Sequence, residues 1–186
     1  MANTCSTTYI CVGDPKEVSE LHQLLETNGN TTIHSLLESM NVDFDDLDKR
    51  GLRTRGTITY FDYDGEGRLT IDQDTAWCEQ EGFRISIEKK YPSIKVYFRE
   101  EEPGCDVYFT NDMTGDYFPE RFLLDSDDVY EYFSNARDAI DYLRDKFGII
   151  AGGETEEEMQ AAIDEYAEEQ GDDFWMNIHE FKYVED

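Results

Sequence analysis

Few residues in this chain stand at spacings that chemistry demands. Asp62, Asp64 and Glu66 come closest. In Asp62-Tyr63-Asp64-Gly65-Glu66-Gly67-Arg68-Leu69 the acidic side chains alternate as in a calcium loop, with Leu69 at the usual apolar position. Such a loop closes on a bidentate Glu at its twelfth position and lies between helices. Here Gln73 takes that position and the flanks alternate like strands. A glycine-rich hairpin is the better reading, so the three acids are weak metal candidates and no cofactor is expected. His22, His34 and His179 are scattered, and none belongs to a nucleophile motif. There is no Walker loop and no GxGxxG. Cys5, Cys11, Cys78 and Cys105 lack metal-ligand spacing and read as small apolar residues in a reducing compartment. Carboxylates are too abundant for any pair to stand out as general acid and base. The chain therefore reads as non-enzymatic. A divalent-metal enzyme built on dispersed acids is the weakest of its readings.

The abundance of carboxylates is itself the strongest signal. Across 186 residues, 44 Asp and Glu face 16 Lys and Arg, a formal charge of −28. Residues 1–99 hold 17 acidic and 11 basic side chains, whereas residues 100–186 hold 27 and 5. Residues 147–181 contain no Lys or Arg at all. Such a surface excludes direct nucleic-acid binding by the C-terminal half, because phosphates need cations opposite them. It suits a basic partner, or imitation of nucleic acid. A net −22 equals the charge on about 37 Å of duplex, roughly 11 base pairs. The plain alternative is that the charge only keeps the protein in solution. An aromatic content of 13% argues against disorder. No secretory signal and no membrane span are expected, which places the chain in the cytoplasm.

The elements that must position these groups follow from periodicity. Residues 6–12 read as a strand, and Asp14-Pro15-Lys16-Glu17 opens a helix that Asn28-Gly29-Asn30 stops. Residues 33–40 form a short helix, and 43–55 a polar connection. Strands at 57–63 and 69–73 flank the hairpin, a helix spans 79–90, and a strand spans 93–99. This β-α-β-β-α-β order is the split βαβ, ferredoxin-like unit. Further strands are expected at 106–110, 117–124 and 129–133. Ser134 caps a helix carrying Ala136, Ile140, Leu143 and Phe147. Thr155-Glu156-Glu157-Glu158 is a capping box for a helix ending at Gly171, and residues 174–184 form a last strand. The reading is α+β: a core over 1–112 and an acidic strand-and-helix extension over 113–186, packed on it as one globular unit.

Several short motifs add a family to this outline. They are Asn3-Thr4-Cys5 before the first strand, Gly13-Asp14-Pro15-Lys16-Glu17 at the first helix, and Thr75-Ala76-Trp77 at the close of the third strand. Tyr91-Pro92 precedes the fourth strand and Glu101-Glu102-Pro103-Gly104 follows it. With the element order, these resemble the YubB-type ferredoxin-like domains of phage, plasmid and related mobile-element proteins, over about residues 1–125. The resemblance implies a ferredoxin-like fold and a mobile-element setting, and no particular chemistry.

Two surfaces are candidates for binding. The first is acidic: Glu156, Glu157, Asp164, Glu165, Glu168, Glu169, Asp172 and Asp173. Its expected partner is a basic or nucleic-acid-binding protein that the acidic surface inhibits or engages as a DNA mimic. The second is an aromatic sheet face. Alternation puts Ile10, Val12, Leu69, Ile71, Val96, Phe98, Val107 and Phe109 toward the helices. It puts Tyr9, Phe61, Lys95, Tyr97, Arg99 and Tyr108 on the other side, where Tyr9, Phe61, Tyr97, Arg99 and Tyr108 would take a small ligand or peptide. RNA-binding domains of this fold stack bases on such a face. Here the surrounding charge opposes nucleic acid, and coverage by the C-terminal helices would make the aromatics core.

Overall fold

The computed structural model describes residues 3–28, 32–171 and 174–185. The chain divides into two compact units, Met1–Asp112 and Met113–Glu185. Both are mixtures of helix and antiparallel sheet, so the fold class is α+β.

In the first unit the elements run β1 (Thr4–Val12), α1 (Pro15–Asn28), α2 (Ile33–Ser39), α3 (Phe44–Lys49), β2 (Gly56–Tyr63), β3 (Arg68–Ala76), α4 (Glu81–Lys90), β4 (Lys95–Glu102) and β5 (Val107–Thr110). The strands lie in the order β2-β3-β1-β4-β5, and every neighbouring pair is antiparallel. The first four strands with α1 and α4 make the ferredoxin-like arrangement. Asp14 accepts from the Lys16 N–H at the start of α1 (2.9 Å), while Gly29 and Asn30 lie outside the described residues. The expected polar connection after α2 contains the helix α3, which Asp43 caps by accepting from the Asp46 N–H at 3.2 Å. Six residues carry too little periodicity to announce a helix.

The helix-covered face of the sheet is graded along the strands. Cross-strand register places Tyr63, Leu69, Cys11 and Val96 in one row and Phe61, Ile71, Tyr9 and Phe98 in the next. The third row is Ile58, Gln73, Thr7 and Glu100, and the fourth pairs Thr75 with Cys5. Apolar burial thus fills one end of the face and polar burial the other. Ring contacts identify the face as the helix side: Tyr9 meets Phe83 of α4 at 5.2 Å, and His22 of α1 meets Phe61 at 5.7 Å.

The second unit contains β6 (Phe122–Ser126), β7 (Tyr130–Phe133), α5 (Ala136–Phe147), α6 (Glu156–Gln170), β8 (Met176–Glu180) and β9 (Lys182–Tyr183). Its sheet has the order β7-β6-β8, antiparallel throughout. The expected strand at 117–124 begins only at Phe122, past Pro119, which has no N–H to give a ladder. Asn135, not Ser134, caps α5 by accepting from the Asp138 N–H at 3.0 Å. The expected strand over 174–184 is two short ones, β8 and β9. Phe122, Leu124, Val129, Phe133, Leu143, Met159, Ile163, Met176 and Ile178 form the core of this unit. Among the described residues, no helix is long and apolar enough to cross a membrane.

Candidate functional site

The acidic surface is built on α6. Thr155 and Glu158 close the capping box that starts the helix. Met159 and Ile163 are buried in the core on its inner side. Gln160 then ties the helix to β8, accepting from the Ile178 N–H at 2.9 Å and donating to the Met176 carbonyl at 3.2 Å. With its inner face pinned, α6 turns Glu157, Asp164, Glu165, Glu168 and Glu169 outward, all exposed. Among the described residues no Lys or Arg pairs with any of the five. Helix geometry spreads them over about 18 Å, or one carboxylate per ~3.6 Å, near the ~3.4 Å charge spacing of a single DNA strand. The neighbouring α5 differs: Arg144 reaches Asp141 at 2.6 Å and Asp145 at 2.8 Å. Glu156 stands apart from the arc, mostly buried and 3.4 Å from Lys182. Asp172 and Asp173 lie outside the described residues.

The aromatic sheet face does not exist as one surface. Tyr9 and Phe61 lie on the helix side, and Tyr9 is wholly buried. Tyr97, Arg99 and Tyr108 lie on the opposite side, in register with Ile10, Thr8 and Glu101. Ile10, expected to face the helices, belongs to that opposite side. Arg99 is engaged by Glu101 at 3.3 Å, and Tyr108 is 3% exposed. The phase went wrong because β1 has apolar residues on both faces, so alternation alone cannot choose between them. In β2 a bulge between Ile58 and Tyr60 resets the alternation and turns Phe61 inward.

Of the three hairpin acids, Asp64 serves the backbone. Asp64 Oδ1 accepts from the N–H groups of Glu66, Gly67 and Arg68, at 2.7, 3.1 and 3.1 Å. These bonds, Glu66 foremost, hold its carboxyl below the usual range. Gly67 has a φ of +114°, and a Cβ there would lie 2.6 Å from the Gly13 carbonyl oxygen. Backbone geometry alone thus accounts for the glycine. His22 packs on Phe61 and Tyr63, and His34 lies against Phe44 with ring centroids 4.3 Å apart and planes tilted by 32°.

Sequence reasoning missed a second cluster, at the polar end of the helix-covered face. Glu79 is the hub. Its carboxylate accepts from the Tyr9 hydroxyl at 2.9 Å and from Arg84 Nε at 3.1 Å. Its own N–H donates to Glu100 Oε2, which also receives the Cys5 thiol at 3.6 Å. The Gln80 N–H donates to the Tyr9 oxygen at 3.0 Å, and the Gln80 side chain accepts from the Arg55 N–H at 2.7 Å. Arg84 lies over the Phe98 ring at 5.4 Å. Burial pushes the Glu79 carboxyl up to about 7, against the pull of Arg84 and Tyr9. Burial also raises Glu100 and drives the Cys5 thiol up to about 12, so Cys5 is no nucleophile at neutral pH. Before this loop, Trp77 holds a φ of +76°, a conformation rare for a bulky side chain. Its N–H bonds to the Asn3 carbonyl at 3.2 Å. The enclosed carboxyl pair can take up and release a proton, and its bonds fasten residues 77–80 to the sheet. The signal in sequence was only Glu79 at the foot of a helix and alternating Glu100 and Glu102, among 44 acids.

No protein-family model matches the chain, and no curated protein does. One solved structure aligned with it is the crystal structure of an unknown protein from Galdieria sulphuraria. The alignment covers 98% of this chain and 100% of that one, at 8% identity and a TM-score of 0.25.

Proposed function

We propose that this chain is a non-enzymatic, acidic protein-binding factor. It takes a basic, nucleic-acid-binding protein on α6 and occupies the surface that partner keeps for nucleic acid. The observation that carries this reading is the outer arc of α6: five exposed carboxylates with no paired cation among the described residues, on a helix whose inner face is pinned. An ordinary solvated helix interleaves cations, as α5 does, because like charges at i, i+4 cost about 0.2–0.5 kcal/mol per pair. Kinship with the YubB-type domains, a mobile-element setting and a cytoplasmic location belong to the same proposal. The ferredoxin-like strand order agrees with the first, and the four free cysteines agree with the last.

The test is capture of proteins on the immobilised full chain from a nuclease-treated lysate, at low and at high salt. The expected catch is basic, nucleic-acid-binding protein that elutes with salt. It should disappear when Glu157, Asp164, Glu165, Glu168 and Glu169 are all changed to Gln or Asn. Capture that survives those changes, or ignores salt, overturns the reading.

A further inference from the structure

A cleft of ≈ 380 Å³ lies in the first unit among α2, α3 and α4. Its size falls within the ~300–1,000 Å³ of small-molecule sites. Met40, Val42, Leu47 and Ile85 supply apolar lining, and Asp43, Asp46, Arg50, Lys89 and Lys90 supply charge. Two of those charges already have structural work. Asp43 caps α3, and Lys90 Nζ donates to the Met40 carbonyl at 3.0 Å, joining α4 to the end of α2. At the turn between these walls Asn41 holds a φ of +59°.

The remaining three charges are unevenly matched. Arg50 Nη1, just past α3, and Lys89 Nζ, on α4, both approach the same oxygen, Asp46 Oδ2. They stand 4.0 and 3.7 Å from it, so neither makes a hydrogen bond. Lys89 is 71% exposed and Arg50 46%. Two cations from two helices therefore converge on one carboxylate beside an apolar hollow, in a chain whose net charge is −28. A second carboxylate placed there would satisfy the cation left over and could bridge both donors. We propose that this cleft binds a small amphiphilic carboxylate, its acid group between Arg50 and Lys89 and its apolar body on Val42, Leu47 and Ile85. The apolar lining supplies most of the contact, and the two cations select the anion. This site is separate from the acidic helix and does not depend on the function proposed for it.

The test uses the full chain and the fluorescent anion anilinonaphthalene sulfonate as reporter, with octanoate and octanol as competitors. The expected result is one saturable site from which octanoate displaces the reporter at least tenfold better than octanol. Lys89→Glu should weaken octanoate at least tenfold without changing the thermal midpoint by more than a degree or two. Val42→Trp, which fills the hollow, should abolish reporter binding while circular dichroism stays unchanged. Equal displacement by octanol overturns the choice of a carboxylate. Reporter binding that persists in Val42→Trp, or no saturable binding at all, overturns the site.

Discussion

The two units carry the same number of acidic side chains and treat them in opposite ways. Residues 1–112 hold 22 Asp and Glu against 11 Lys and Arg, and residues 113–186 hold 22 against 5. Among the described residues, every buried charged side chain lies in the first unit: Arg84, Glu100, Glu102 and Asp112. The core of the second is apolar throughout, and among the described residues its acids lie outside that core, Glu156 being mostly covered and paired with Lys182. A carboxylate can be buried only where donors or a proton meet it, as Tyr9, Arg84 and the Glu79 N–H do in the first unit. With five cations the second unit has few such partners, so exposure to water is its remaining solution. One unit thereby acquires a proton-sensitive interior and the other a salt-sensitive surface.

The largest expected break in this contrast comes from Arg84→Met. It strips Glu79 of its buried cation, and should cost about 3–5 kcal/mol in urea melts at pH 8. At pH 5, where Glu79 holds a proton, the loss should be visibly smaller. Leu143→Ala in the other core should cost a similar ~2–5 kcal/mol through its cavity, with the same value at both pH values. Equal pH behaviour of the two variants would erase the distinction between the cores.

Glu79 should also impose a slope on the unmodified protein. Its folded pKa of about 7 exceeds its ordinary 4.5, so the folded state holds the extra proton. The stabilisation is complete below the lower value and is lost as pH rises through the upper one, a fall of about 3 kcal/mol. Glu79→Gln should flatten that slope in melts from pH 4.5 to 8, and an unchanged slope would remove Glu79 as its source.

A smaller effect belongs to Gln73. Its amide is 1% exposed, and neither of its polar side-chain atoms has a hydrogen-bond partner among the described residues. Gln73→Met should be neutral or stabilising by up to about 1–2 kcal/mol. A loss of more than 1 kcal/mol would mean that ordered water satisfies the amide.

The smallest shift should come from the surface. Glu168→Lys with Glu169→Lys turns the Asp164/Glu168 and Glu165/Glu169 repulsions into attractions and places cations near a helix C-terminus. Together they should add about 1 kcal/mol at low salt. Differential scanning calorimetry should see that gain shrink in high salt, and a gain that salt leaves intact would point to something other than charge.

Much of this organisation was legible in the residues, and the misses have identifiable causes. The capping box at Thr155 is a local signal, and α6 starts there. The order β-α-β-β-α-β follows from periodicity and hairpin chemistry, which need only neighbours in sequence. The inward turn of Phe61 escaped because a bulge leaves no compositional mark. The Glu79 cluster escaped because its members come from β1, the loop before α4, α4 itself and β4. The cleft escaped for the same reason, since Arg50 and Lys89 are remote in the chain.

The α+β class, the ferredoxin-like order, the limits of most helices and the excess of acid in the C-terminal part were all readable from the residues alone. These depend on period, caps and charge count, all properties of short stretches. Which face of β1 is core, which carboxylates are enclosed and which line an exposed arc could not be read from those stretches. Register between strands and packing between helices set those outcomes. A carboxylate looks the same in the sequence whether its partner is water, a tyrosine hydroxyl or a distant arginine.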